Sequence, residues 1–169
     1  MNKDNLIHLL EKNKFSFKIF EHEPVQTVKE SLYIDQMIEG AHTKNLFLKS
    51  KKNKFYLISC LSSTKVDLKI LSKKMNAGNL SFANHIHLKN LLGVKPGAVS
   101  PYGLINDVNK VVNFFLDFKI MKYNSVNFHP LNNAYTINLK VENLIKFLKL
   151  NNILVKIIDF DNYIIIEDK

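Results

Sequence analysis

The sequence predicts a single α/β domain spanning residues 1–169, and three observations carry that prediction. Short alternating apolar runs, the mark of strands, are interspersed with stretches whose apolar residues recur at helical spacing. No repeat, low-complexity tract or Pro/Gly/Ser-rich linker divides the chain. With 46% apolar residues it can bury a real core, which excludes wholesale disorder. The helices are irregularly spaced, which argues against a Rossmann arrangement.

The elements follow in order. Leu6, Ile7, Leu9 and Leu10 give a helical stripe over residues 3–13, with Asp4 in the first turn. Phe15, Phe17 and Ile19 alternate with Ser16 and Lys18 as a strand does, and Glu23-Pro24 breaks it. Thr27 can cap a helix over 28–38, with Glu30 as the partner three residues on and Gly40 closing it. Two strands, 45–48 and 55–60, flank the polar turn 49–54. Asp67 can cap a helix to Met75 on Leu68, Leu71 and Met75; Asn84 can cap a short one on Leu88, Leu91 and Leu92, stopped by Gly93. Pro96-Gly97 marks a turn. Strands are expected near 111–116, 126–129 and 135–139, then a helix over 141–150 whose start at Lys140 lacks a capping side chain. Residues 153–160 and 163–166 read as a hairpin across Asp161-Asn162.

Composition narrows the function classes. All 24 basic residues are lysine against 15 acidic ones, a net charge of +9, and asparagine occurs 21 times. Clustered lysines attract polyanions, yet A+T-rich codons would produce the same composition; both readings stay open at this point. The longest apolar runs, such as 163–166, are far shorter than the ~20 residues of a membrane span, and Met1–Asn5 shows no signal peptide. Cys60 is the single cysteine, so neither an internal disulfide nor a cysteine metal cluster can form. A cytoplasmic protein without metal or cofactor is the expectation.

No GxSxG elbow, GxGxxG or Walker loop is present. His85 and His87, two apart on a helix, point to different faces, which disfavours a metal. Three segments are harder to dismiss. Strand alternation sets Lys44 on one face with Leu46 and Leu48, and Thr43 and Asn45 on the other; a lysine on an apolar side either snorkels or has a job. Gly93–Gly103 packs three of the five glycines and two prolines into eleven residues, a loop that can aim backbone N–H groups at an oxyanion, or an ordinary connection. His129 leaves a strand into Pro130.

These segments carry a resemblance. Gly40-Ala41-His42-Thr43-Lys44-Asn45-Leu46-Phe47-Leu48, Val66-Asp67-Leu68, Leu80-Ser81-Phe82-Ala83, Leu91-Leu92-Gly93-Val94, Pro96-Gly97-Ala98-Val99-Ser100-Pro101, Gly103-Leu104-Ile105-Asn106-Asp107 and Asn127-Phe128-His129-Pro130-Leu131 stand in the order found in the freestanding aminoacyl-tRNA deacylases of the YbaK/prolyl-tRNA synthetase editing-domain superfamily. The sequence most resembles the alanyl-tRNA(Pro) deacylase branch (ProXp-ala or PrdX).

That resemblance implies a mixed, largely antiparallel, barrel-like sheet surrounded by helices, and hydrolysis of the ester joining a wrong amino acid to tRNA(Pro). The family's lysine and asparagine fall on Lys44 and Asn45, its GxxxP loop on Gly97 through Pro101, with Ser100 inside it, and its pocket histidine on His129. Water is the implied nucleophile, assisted by the ribose 2′-OH, with no metal. An activated ester needs positioning and charge stabilisation rather than a triad. Lys44 would serve as a fixed cation, and the amides of Gly97–Ser100 would hold the aminoacyl end. A small second sieve suits alanine, which a proline pocket excludes poorly. Val28, Leu32, Phe82, Ala98 and Val99 are its expected lining. Lys49, Lys51, Lys52 and Lys54 in the turn, and Lys65, Lys69 and Lys73 at i, i+4, i+8, are the expected track for the tRNA acceptor end. Prolyl-tRNA synthetase is a possible transient partner. The alternatives are a cysteinyl or other small-amino-acid ester, or a non-catalytic tRNA- or synthetase-binding module. Two departures from the family stand out: Tyr135 occupies the place of a small Thr or Ser, and the absence of arginine removes bidentate phosphate contacts.

Overall fold

A computed structural model of the chain describes residues 1–24 and 32–166. Thr27, Val28 and Glu30 lie outside the described residues, as does the side chain of Leu32. The elements run α1 (Lys3–Lys12), β1 (Phe17–Glu21), α2 (Leu32–Met37), β2 (Thr43–Ser50), β3 (Phe55–Leu61), α3 (Leu68–Lys74), β4 (Leu80–Phe82), α4 (His85–His87), β5 (Val112–Asp117), β6 (Ser125–Phe128), β7 (Tyr135–Lys140), α5 (Val141–Leu150), β8 (Val155–Asp159) and β9 (Ile164–Ile166). Caps explain several starts. Asn2 accepts from the Asn5 amide, Asp67 from those of Lys69 and Ile70, and Asn84 from that of His87. After α4 the chain makes a π turn over Leu88–Leu92 and stops at Gly93, φ +67°. No helix among the described residues is long and apolar enough to cross a membrane.

The strands form two sheets, β1-β7-β6 and β4-β2-β3-β5-β8-β9. Pairing is antiparallel except for the parallel ladders β3–β5 and β5–β8. The sheets do not close into a barrel; they meet through the bridge of Ala41 with Val126, so "barrel-like" describes the curl and no more. The larger core gathers Leu6, Phe47, Leu57, Phe114, Phe128, Leu144 and Phe147 between the sheets and helices α1 and α5. On the opposite face of the six-stranded sheet Leu48, Ile58, Cys60, Phe115 and Ile158 pack beneath Leu71 of α3. Both faces of β2, β3 and β5 are therefore covered, which fits their near-continuous apolar runs.

Two expectations need correction. Lys65 precedes Asp67, the α3 cap, so only Lys69 and Lys73 of the proposed stripe stand on the helix, joined there by Lys74. The loop after Pro101 is itself wound as a 3-10 helix, Pro101–Asn106.

Candidate functional site at the seam of the two sheets

The seam begins where the chain turns from α2 into β2. Gly40 has φ +103°, and a Cβ there would fall onto Ser125 Oγ and within 2.8 Å of the Ser125 carbonyl oxygen, so glycine is required. The Ala41 amide then donates to Ser125 O (2.8 Å) and the Asn127 amide to Ala41 O (3.0 Å). Two side-chain amides lock this junction. Asn127 Nδ2 and Asn138 Nδ2 both donate to Glu39 O, at 3.0 and 2.8 Å, while Asn138 also donates to Asn127 Oδ1 (2.8 Å). Thr43 Oγ1 adds a bond to Asn127 O at 2.9 Å. Because Ala41 faces Val126, Lys44 and His129 lie equally far beyond the bridge on adjoining segments.

Alternation along β2 sorts its side chains. Phe47 joins the larger core, whereas Leu46 and Leu48 join the smaller, and Lys44 shares their face. Its ammonium donates to Ser62 O at 3.0 Å. The turn that supplies this carbonyl is gripped from behind by the fully buried Asp117, which accepts from Thr64 Oγ1 (2.7 Å) and, at 3.4 Å, from the Leu61 amide. Across the ladder Lys44 faces Cys60, whose thiol burial pushes up to about 12 against the opposing pull of the Lys44 charge. Such a thiol is inert at neutral pH. Asn45 lies on the other face and accepts from Ser59 Oγ at 2.5 Å.

The second segment is a tight turn. Ala98 N donates to Lys95 O (3.1 Å), with Pro96 and Gly97 at its corners and Gly97 at φ +85°, the geometry of a type II turn. The Ala98 amide is thereby used up, and the Ala98 side chain belongs to the larger core. Val99 packs against that core, and Ser100 is fully buried with its Oγ lacking a hydrogen-bond partner among the described residues. Pro101 starts the 3-10 helix, where its missing N–H costs nothing. One residue on, the Tyr102 ring meets Phe128 edge-to-face at 6.3 Å, which ties this turn to the residue preceding His129.

His129 Nδ1 lies 2.7 Å from the Tyr135 carbonyl oxygen. A carbonyl only accepts, so Nδ1 carries the proton and Nε2 of the neutral ring is an acceptor. Burial holds the His129 pKa below the ordinary histidine value; the Tyr135 carbonyl pulls it up and the neighbouring His22 down. His22, with its ring 5.7 Å from that of His129, is bracketed by Glu23 O and Thr136 Oγ1, each at 2.9 Å. Lys44, the turn and His129 make no direct hydrogen bonds to one another among the described residues; Thr43–Asn127 and Tyr102–Phe128 link their segments, while the Lys44 side chain lies on the face of β2 opposite to Thr43.

A family model described as "Aminoacyl-tRNA editing domain" matches residues 22–147, from the first of these histidines to α5. The chain belongs to the aminoacyl-tRNA editing domain family. It is 35% identical over 158 residues to the "Prolyl-tRNA editing protein ProX" of Acetoanaerobium sticklandii, covering 93% of this chain and 96% of that protein. It is 40% identical over 146 residues to the "Prolyl-tRNA synthetase associated domain-containing protein 1" of Xenopus laevis, covering 83% and 86%. Among solved structures, one described as a candidate trans-editing enzyme for prolyl tRNA synthetase superposes with a TM-score of 0.66 at 20% identity, over 92% of this chain and 95% of that one. That last likeness shows a shared fold.

Within this editing domain the remaining expected residues are dispersed. Phe82 stands on edge strand β4, 65% exposed and opposite Leu48. Lys51, Lys52, Lys54, Lys65, Lys69 and Lys73 are exposed, whereas Lys49 is half-buried with its Nζ 3.5 Å from His87 Nε2. The Tyr135 hydroxyl donates to Glu21 Oε1 (2.9 Å) and Lys3 covers its ring. Sequence reasoning overlooked His22 and Thr136. The signal for His22 was available, since it leaves a strand two residues before Pro24, much as His129 leaves one directly before Pro130.

Proposed function

We propose that this editing domain acts in trans as an aminoacyl-tRNA deacylase, hydrolysing the ester of mischarged tRNA(Pro), with Ala-tRNA(Pro) as the preferred substrate. The reading draws on the family membership and on the prolyl-tRNA editing named for the relative from A. sticklandii. One observation carries it at the level of chemistry: the strand that bears Lys44 and the segment that leads to His129 are joined at the Ala41–Val126 bridge, and the Pro101 turn is tied to that segment through Tyr102 and Phe128. Lys44 supplies positive charge to the terminal phosphate or to the developing oxyanion. With the Ala98 amide engaged by Lys95 O, the oxyanion donors narrow to the Val99 and Ser100 amides, and Pro101 fixes their direction. His129 Nε2 accepts a hydrogen bond from the ribose 2′-OH or the attacking water, and Asn45 braces the strand beside Lys44. Water adds to the ester carbonyl, the C–O bond breaks, and the 3′-oxygen leaves with a proton. No cofactor enters. A pocket sized for alanine acts as the second sieve. Prolyl-tRNA synthetase is the transient partner that releases the substrate.

The test offers alanyl-, cysteinyl- and prolyl-tRNA(Pro) side by side to the wild type and to Lys44→Ala. The alanyl ester should turn over fastest, and Lys44→Ala should remain folded while losing about 10²–10³ in kcat, the cost of one charge-stabilising group. Normal turnover by Lys44→Ala removes the assignment. Preference for the cysteinyl ester moves the protein to the other branch.

A further inference from the structure

Charge is distributed unevenly along the chain. Residues 40–106 contain 11 lysines and one acidic residue, Asp67, whereas the rest of the chain has 13 lysines and 14 acidic residues. The whole net charge therefore resides in one stretch, from β2 to the end of the 3-10 helix. Asp67 itself is engaged in capping α3. In the middle of this stretch stands Phe82, at 65% the most exposed aromatic side chain among the described residues.

Its position is specific. Phe82 pairs with Leu48, so it lies on the face of β2 that Lys44 shares. Leu48 stands four residues along the strand from Lys44, about 13 Å along the sheet. Lysine-bearing segments adjoin β4. The Lys51 amide donates to Asn79 O, which holds the Lys51–Lys54 turn against the start of β4, and α3, with Lys69 and Lys73, lies against β4. An exposed aromatic ring beside lysine-bearing segments is a pairing that binds unpaired nucleic acid: the ring stacks on a base while cations track the phosphates.

We propose that Phe82 is a stacking platform for an unpaired base of the tRNA 3′ end, a nucleotide or two upstream of the esterified adenosine held at Lys44. The inference rests on the deacylase reading for the identity of the RNA, though not for its test. A polyanion is favoured over a protein partner because the surrounding charge is of one sign.

The chain contains no tryptophan, so Phe82→Trp introduces a single emitter at the platform. Titration with an unacylated oligoribonucleotide ending in CCA should quench it, while Tyr123→Trp, exposed elsewhere, should not respond. Phe82→Ala should weaken binding of the oligonucleotide and raise KM for mischarged tRNA by about 5- to 100-fold. Phe82→Leu, which keeps the edge strand apolar, should do the same if stacking is the cause. Converting Lys51, Lys52 and Lys54 to Gln should flatten the salt dependence of binding by about 0.7 for each phosphate no longer neutralised. Emission of Phe82→Trp unchanged at saturating oligonucleotide overturns the proposal, as does a response to prolyl-tRNA synthetase in place of the RNA. Quenching by RNA in a protein that hydrolyses nothing upholds the platform and removes only the deacylase reading.

Discussion

Asp117→Ala should be among the most costly single changes in this protein. The carboxylate is fully buried and accepts from Thr64 Oγ1 at 2.7 Å, the Lys119 amide at 2.9 Å and the Leu61 amide at 3.4 Å. A hydrogen bond to a charged acceptor contributes about 1.5–3 kcal/mol, and stranding buried donors costs about 1–3 kcal/mol each. The contributions overlap and the longest bond is weak, so the expected loss is about 3–5 kcal/mol. For a chain of this size that lowers Tm by roughly 10 °C. Urea unfolding followed by far-UV circular dichroism measures it, and a cycle with Thr64→Val should show a coupling of at least about 1 kcal/mol. The same variant loosens the turn that presents Ser62 O to Lys44, so kcat should fall in the protein that remains folded. A loss under about 1 kcal/mol, with no coupling to Thr64, would refute the view that this buried carboxylate organises the turn.

Two further outcomes are expected. Gly40→Ala forces a left-handed φ on an L-residue and drives its Cβ into Ser125, costing at least about 1–3 kcal/mol in the same unfolding assay. Below the ordinary histidine pKa the unfolded chain binds a proton that buried His129 resists, so stability should fall as pH drops through about 6.5. His129→Gln should reduce that slope, measured as urea midpoints between about pH 7.5 and 5, while the wild type keeps a neutral acceptor there to mildly acidic pH.

Much of the fold is legible in the sequence because its signals are local. The stripe Leu6–Leu10, the alternation through β2 and β3, the Asp67 and Asn84 caps and the closing hairpin are each written within a few residues. Lys44 can be singled out the same way, by its place among Leu46 and Leu48. What is not legible depends on partners distant in sequence. Strand β4 is three residues long, too short to show a period, and exists by pairing with β2. The seam depends on Ala41 meeting Val126, and its lock on Glu39 O meeting Asn127 and Asn138. Nor could the engagement of the Ala98 amide be read from glycine and proline content; it required the turn type.

The junction at Ala41 gives the site a mechanical character. Lys44 belongs to the six-stranded sheet and His129 extends the three-stranded one, so the gap between them is set by how the sheets sit against each other. On the proposed function, a substrate that engages both residues would act as a rivet across that gap. On that reading its occupancy would stiffen the joint, and a substitution that lets the sheets shear apart would spoil the site without touching a reacting group. The bonds from Asn127 and Asn138 to Glu39 O thus act as a gauge block for the spacing of the two sheets at this junction.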